Sequence, residues 1–226
     1  MIFEDRRDAG RRLAVQLQRF KSQRPVVLAL PRGGVPVGYE VALALGAPLD
    51  VIVVRKLGAP GQPELGIGAI VDGDHPQSVL NEELVQELHV SRGFLEREIA
   101  SELAEVHRRQ TRYRGGRPPL SVAGRTVLVV DDGIATGSSM RAALRGVRRA
   151  GPSRLVLAVP VAPPDTIEAL RAEVDDIVCL STPAWFGAVG NFYRDFDQTT
   201  DEEVIRLLDA ARQRAAEDTA RVELVS

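Results

Sequence analysis

Two adjacent carboxylates, Asp131 and Asp132, close the stretch Thr126-Val-Leu-Val-Val-Asp-Asp and open a run of small and hydroxylated residues that ends at Ser139. Paired acids can accept hydrogen bonds from a sugar diol. Gly133, Ala135, Thr136, Gly137, Ser138 and Ser139 let backbone N–H groups close around an anion with no large side chain in the way. A sugar phosphate satisfies both features at once. An Asp after a buried strand is commonly a turn or helix-capping residue and nothing more. Strand, paired acids, Thr-Gly and helix in that order form a far more specific signal.

The elements that must hold these groups follow from the flanking residues. Val127 to Val130 is an apolar run rich in β-branched residues, the pattern of a parallel strand buried on both faces. Met140, Leu144 and Val147 recur at helical spacing, and Gly151-Pro152 ends the run. The small-residue loop therefore opens a helix, where unpaired N–H groups and the macrodipole favour phosphate. A second candidate cradle, Pro31-Arg-Gly-Gly34, lies between a strand at Val26 to Leu30 and a helix from about Pro36 to Leu45. Its arginine supplies charge and its glycines permit close backbone approach. Leu49 to Val54 reads as a strand ending in Arg55-Lys56; with 27 arginines and two lysines in the chain, Lys56 stands against a strong bias toward arginine. Two cations there could stabilise charge developing on a leaving group, although a solvated strand end would look the same.

The stretch from Val127 to Ser139 resembles the phosphoribosyl pyrophosphate (PRPP) motif of type I phosphoribosyltransferases. The resemblance implies that Asp131 and Asp132 hold the ribose hydroxyls, with a possible Mg²⁺ contact through water or PRPP, and that Ala135 to Ser139 hold the 5′-phosphate. Gly133 departs from the family, which usually carries an apolar residue there. Arg32, Gly33 and Gly34 resemble the family's pyrophosphate loop. Trp185 and Phe186 open a segment, Pro183 to Asp195, that is similar to the base-stacking segment of purine-type members, although a satellite hydrophobic cluster is an equal reading. Ala135 occupies the position at which the hypoxanthine and guanine class carries an aspartate, so efficient 6-oxopurine transfer is not expected. The implied activity is Mg²⁺-dependent transfer of the 5-phosphoribosyl group from PRPP to a nitrogenous acceptor with release of pyrophosphate. The alternative is a PRPP-sensing regulator or non-catalytic binding module.

The 226 residues, 44% of them hydrophobic, suit a single α/β domain. Alternating strands and helices specify a doubly wound, mostly parallel sheet with helices on both faces and ligands at the carboxyl ends of the strands. The core spans about 25–200, with an amphipathic helix over 6–20 read as packing only and a last helix over about 201–216, opened by a Thr200 capping box and fraying after Ala216. Between them, Ala59 to Pro63 reads as a mobile loop and Leu65 to Val71 with Val79-Leu80 as a short hairpin around Asp72-Gly73, together a small flap or hood. Helices follow over Asn81–Leu88 and Ser91–Tyr113, and the arginines from 108 to 117 read as a solvated face and linker, with one of these arginines reaching a phosphate as the alternative. A net charge of −2 gives no bulk attraction for nucleic acid or anionic membrane, and no apolar run is long enough for a membrane span. A cytoplasmic protein is expected, and a homodimer is left open. Cys179 reads as a core residue, and His75, His89 and His107 as surface side chains without metal-ligand spacing.

Overall fold

Val26–Ala29 and Thr126–Val130 have no polar face, and both strands are buried along their whole length in the middle of a sheet. The computed structural model describes residues 1–73 and 76–223; His75 lies outside them. The chain opens with α1 (Arg6–Leu17), β1 (Val26–Ala29), α2 (Gly34–Leu45) and β2 (Leu49–Val51). An excursion follows: β3 (Val54–Ala59), β4 (Gln62–Val71), β5 (Gln77–Leu80), α3 (Glu82–Glu87) and α4 (Arg92–Arg114). The chain then returns through β6 (Thr126–Val130), α5 (Ser138–Arg149), β7 (Arg154–Val161), α6 (Pro164–Leu170), β8 (Asp176–Ser181) and α7 (Asp201–Glu223).

The main sheet is parallel throughout, in the order β2-β1-β6-β7-β8. Alternate strand residues feed opposite cores, as the period of two requires. Leu128, Val130, Val156 and Ala158 pack with α1, α2 and α7, whereas Val127, Val129, Leu155 and Leu157 pack with α5 and α6. The fold is therefore α/β with helices on both faces. The hood is the antiparallel sheet β3-β4-β5.

Several sequence expectations change. The apolar run at Leu49 to Val54 is not one strand: Val53 N–H turns to Asp72 Oδ2 at 3.3 Å, and β3 leaves to pair with β4. Arg55 and Lys56 accordingly belong to the hood. Pro60-Gly61 makes a tight turn between β3 and β4 rather than a mobile loop, with Gly61 at φ 72°. Helix α1 stops at Leu17 and tightens into a 3₁₀ segment, Gln18–Gln23, while α7 continues past Ala216 to Glu223. Cys179 lies on the edge strand β8, half-buried. Thr200 caps α7 as its sequence indicates, accepting from the Glu203 N–H at 3.1 Å.

The basic run after residue 108 contains one arginine that is not solvated. Arg114 is buried between Asp50, whose carboxylate lies 3.0 Å from its Nε, and Asp72, 2.9 Å from Nη2. Its Nη2 also donates to the Val51 carbonyl at 2.7 Å. This cluster joins α4, β2 and the turn after β4, fixing the base of the hood to the sheet. Removing one partner of a buried ion cluster strands the others. Arg114→Met should therefore cost about 3–5 kcal/mol in urea unfolding, whereas Arg92→Ala, in an exposed pair with Glu96, should stay within about 0.5 kcal/mol. Equal effects from the two substitutions would refute this account of the hood's anchorage.

Candidate active site

The acid pair leaves the carboxyl end of the central strand β6, and the glycine loop after β1 is pressed against it. A Cβ on Gly33 would come within 2.0 Å of Asp132 Oδ2, and one on Gly34 within 2.9 Å of the Asp131 Cα. The two glycines are thus required by the approach of one loop to the other. Ligand approach alone would not have demanded both. The Pro31–Arg32 peptide is cis, and the exposed Arg32 side chain extends toward Asp201, 3.8 Å from Nη1 to Oδ1.

Asp131 Oδ1 accepts the Asp132 backbone N–H at 2.9 Å, and Asp132 Oδ2 accepts Arg6 Nε at 2.7 Å. Tyr193 donates its hydroxyl to the Asp132 carbonyl. Burial pushes the Asp131 carboxyl well above the usual range, and the neighbouring Asp132 charge adds to it. Asp132 is also raised by burial, against the opposing pull of Arg6. The Tyr193 hydroxyl is raised as well, by burial first and then by Asp132.

Beyond the acids, the chain turns on Gly137, which has φ 77° and starts α5. Among the described residues, the backbone N–H groups from 135 to 140 meet no protein acceptor, while the Ile134 N–H is tied to Val161. Six backbone donors at and just before the start of a twelve-residue helix are thus left without a protein acceptor, the condition that favours an anion at such a position. Thr166 braces the loop by donating its hydroxyl to the Ala135 carbonyl at 2.8 Å. Gly133 has a packing reason: a Cβ there would lie 2.6 Å from Val189 Cγ1 and 3.0 Å from Val161 Cγ1. Val189 fills the space that a side chain at 133 would otherwise take.

Arg55 and Lys56 part company, because consecutive strand residues face opposite sides. Arg55 turns to α4, with Nε 2.5 Å from Glu102 Oε2. Lys56 is exposed and, among the described residues, forms no ion pair; it lines a cleft of about 790 Å³ with Ser138, Arg141 and Arg145 of α5. The aromatic segment also divides. Trp185 is 93% exposed, Phe186 stacks on Phe192 with centroids 5.2 Å apart, and Tyr193 and Phe196 lie against Phe3 and Arg6. His89 and His107 are exposed, as expected.

Two residues that the sequence reading passed over reach the acid pair. Arg6 opens a helix read as packing only, and Tyr193 belongs to a cluster noted for stacking. Among the described residues, no group of three or more His, Cys, Asp or Glu side chains is placed to hold a metal. Asp131 and Asp132 offer hard oxygen donors, one of which Arg6 already occupies. They fit a small divalent cation that brings most of its ligands on a pyrophosphate and in water, as such cations favour.

A family model of the phosphoribosyl transferase domain matches residues 3–197, and the chain belongs to that family. Two proteins from Mycobacterium tuberculosis strains CDC 1551 and H37Rv, both provisionally named phosphoribosyl transferases, are 48% identical to it over 216 residues. That alignment covers 96% of this chain and 48% of each relative, so the chain spans about half the length of those two relatives. A crystal structure of a Thermus thermophilus protein shares 48% identity and superposes with a TM-score of 0.82, over 92% of this chain and 98% of that one. No described helix is long and apolar enough to cross a membrane.

The raised acid pair makes its own contribution to the pH dependence of stability, opposite in sign to that of the lowered carboxyls of Glu105 and Asp175. A carboxyl whose pKa is higher folded than unfolded binds its proton more readily in the folded state, so stability falls as pH rises from about 4 through the raised value. Asp131→Asn removes that loss and keeps an oxygen for the Asp132 N–H. The variant should melt at a higher temperature than the wild type at pH 7, with the gap closing at about pH 4 and below. A lower melting temperature at pH 7 would contradict the assignment.

Proposed function

We propose that the protein transfers the 5-phosphoribosyl group of PRPP to a nitrogenous acceptor, with release of pyrophosphate. The observation that carries this reading is the junction of three features: paired carboxylates, an N–H cradle at a helix start, and a glycine loop in contact with the carboxylates. Asp131 and Asp132 would accept from the ribose hydroxyls, the donors from Ala135 to Ser139 would hold the 5′-phosphate, and Arg32, Gly33 and Gly34 would face the pyrophosphate. In the reaction the acceptor nitrogen forms a bond to C1′ as the C1′–oxygen bond breaks. Pyrophosphate departs with that electron pair, and the acceptor's surplus proton passes to solvent or to the leaving group. Mg²⁺ bound to pyrophosphate, beside Asp131 and Asp132, would supply charge neutralisation.

The protein's part is positioning and electrostatics. Holding the sugar at both ends aligns C1′ with the acceptor. Lys56 and Arg32 would favour charge building on the pyrophosphate, while Arg55 stays in its pair with Glu102. Phe186, packed on Phe192, and the exposed Trp185 are the candidate aromatic surfaces for a planar acceptor. The engagement of Arg55 removes one of two cations suited to leaving-group chemistry and so favours the alternative, a PRPP-binding module without catalysis.

Pyrophosphate release with PRPP, Mg²⁺ and a panel of bases and amines separates the two readings, turnover with any acceptor establishing the enzyme. Ala135 offers no carboxylate for a purine N7, and such proton transfer is worth about 10²–10⁴-fold. Guanine, hypoxanthine and xanthine should therefore be poor acceptors. Finding kcat/KM near 10⁵ M⁻¹s⁻¹ for one of them, roughly the ordinary enzymatic range, would overturn this specificity.

A second measurement concerns Lys56. If its charge acts on the departing group, Lys56→Ala should lower kcat more than it weakens PRPP binding. A loss confined to binding would point to the module.

A further inference from the structure

Arg6 is held by three different contacts, all at the acid pair or the aromatic segment beside it. Its Nε lies 2.7 Å from Asp132 Oδ2, its Nη1 donates to the Asp197 carbonyl at 2.7 Å, and its guanidinium carbon sits 3.9 Å from the Phe196 ring centroid. The side chain is only 12% exposed. Its own backbone is fixed as well. Asp5 caps α1 by accepting the Asp8 N–H at 2.7 Å, and Phe3 forms a bridge to Tyr193. Tyr193 in turn donates to the Asp132 carbonyl, so the start of α1 and the aromatic segment grip Asp132 from two sides.

The consequence is a division of carboxylate oxygens. Arg6 takes Oδ2 of Asp132, and the Asp132 N–H takes Oδ1 of Asp131. Among the described residues, one oxygen on each acid is left without an N–H donor, which matches the two hydroxyls of a ribose. We infer that Arg6 is a positioning residue for the diol site. It fixes the rotamer of Asp132 so that the remaining oxygen of each carboxylate faces the sugar, and it joins that rotamer to the packing of Phe196 and Asp197. This rests on the PRPP reading above. Lysine cannot replace it fully, because an ammonium lacks the planar fork that reaches two acceptors while stacking on a ring.

Calorimetric titration of PRPP with Mg²⁺ tests this on the wild type, Arg6→Gln, Arg6→Lys, Asp132→Asn and the Arg6→Gln/Asp132→Asn double variant. Melting curves check folding in each. Arg6→Gln should bind PRPP about tenfold or more weakly, as loss of an orienting partner commonly does; Arg6→Lys should fall between it and the wild type. In the Asp132→Asn background, Arg6→Gln should add little, because each substitution already removes the Arg6–Asp132 ion pair. Arg7→Gln, whose arginine pairs with Glu40 away from the acids, should bind like the wild type. If Arg6→Gln does not fold, Arg6→Lys decides: weakened PRPP binding supports the inference and wild-type binding overturns it. Equal or tighter binding by a folded Arg6→Gln, or full additivity in the double variant, also overturns it while the PRPP reading stands. A wild-type protein that binds no PRPP overturns that reading and this inference together.

Discussion

Two carboxylates side by side at the end of a buried strand are an electrostatic problem, and much of the surrounding structure is arranged around it. Burial opposes ionisation of both Asp131 and Asp132, and the charge of Asp132 opposes that of Asp131 further. The compensating groups are few: one guanidinium from Arg6 and one backbone N–H on the carboxylate oxygens, with Tyr193 on the Asp132 carbonyl. Space is constrained as tightly as charge. Gly33 and Gly34 come so near that neither tolerates a Cβ without moving the acids, and Gly133 stays bare because Val189 fills the space beside it. These glycines are spatial partners of the acid pair and its covering segment, although the first two lie about a hundred residues away in sequence.

The hood meets the same sheet through charge of a different kind. Arg114 ties Asp50 of β2 to Asp72 at the end of β4, and Gln110 adds a further bond to Asp72. The anchor sits where β3 begins, since Val54 is paired with Val71. Lys56 is two residues farther along β3, on the side facing α5. A strand fixed at its base thus presents a cation that has no ion pair among the described residues to the helix that opens at the unpaired N–H groups. The alternation of strand side chains explains why Lys56 has this outlook and Arg55 does not.

How much of this was legible in the sequence depended on whether the cause was local. The strand, acids, small-residue loop and helix from Thr126 onward are contiguous, so periodicity and residue type place them correctly. The helical faces of α1, α4 and α7 and the Thr200 cap were legible for the same reason. The break after β2 was hidden because Ile52 and Val53 continue an apolar run, and hydrophobic pattern cannot register a change of pairing partner. Arg114 was hidden in a basic run whose other members are solvated or paired at the surface; only Asp50 and Asp72, brought in by the fold, set it apart. Arg6 carried no local signal, since its acid lies 126 positions along the chain. The departure at Gly133 drew attention to the position, but its cause, Val189, sits in a segment marked for its aromatics.

The two buried acidic groups differ in how completely the protein answers them. Asp50 accepts Arg114 and the backbone N–H groups of Val51 and Leu120, and Asp72 accepts Arg114, Gln110 and the Val53 N–H. Such a cluster has little left to offer a ligand, and its role is to hold elements together. Asp131 and Asp132 are less deeply enclosed than Asp50 and Asp72, yet burial still raises both, and among the described residues they have fewer donors. A carboxylate oxygen held in place and short of donors gains more from a ligand hydroxyl than one already satisfied, because hydrogen bonds to charged groups are worth about 1.5–3 kcal/mol. The same shortage of donors that lowers the stability of the acid pair would thus favour a ligand hydroxyl there. Arg6 tempers that cost at one oxygen and, among the described residues, leaves the other carboxylate oxygens able to accept, acceptors that full neutralisation of the pair would remove.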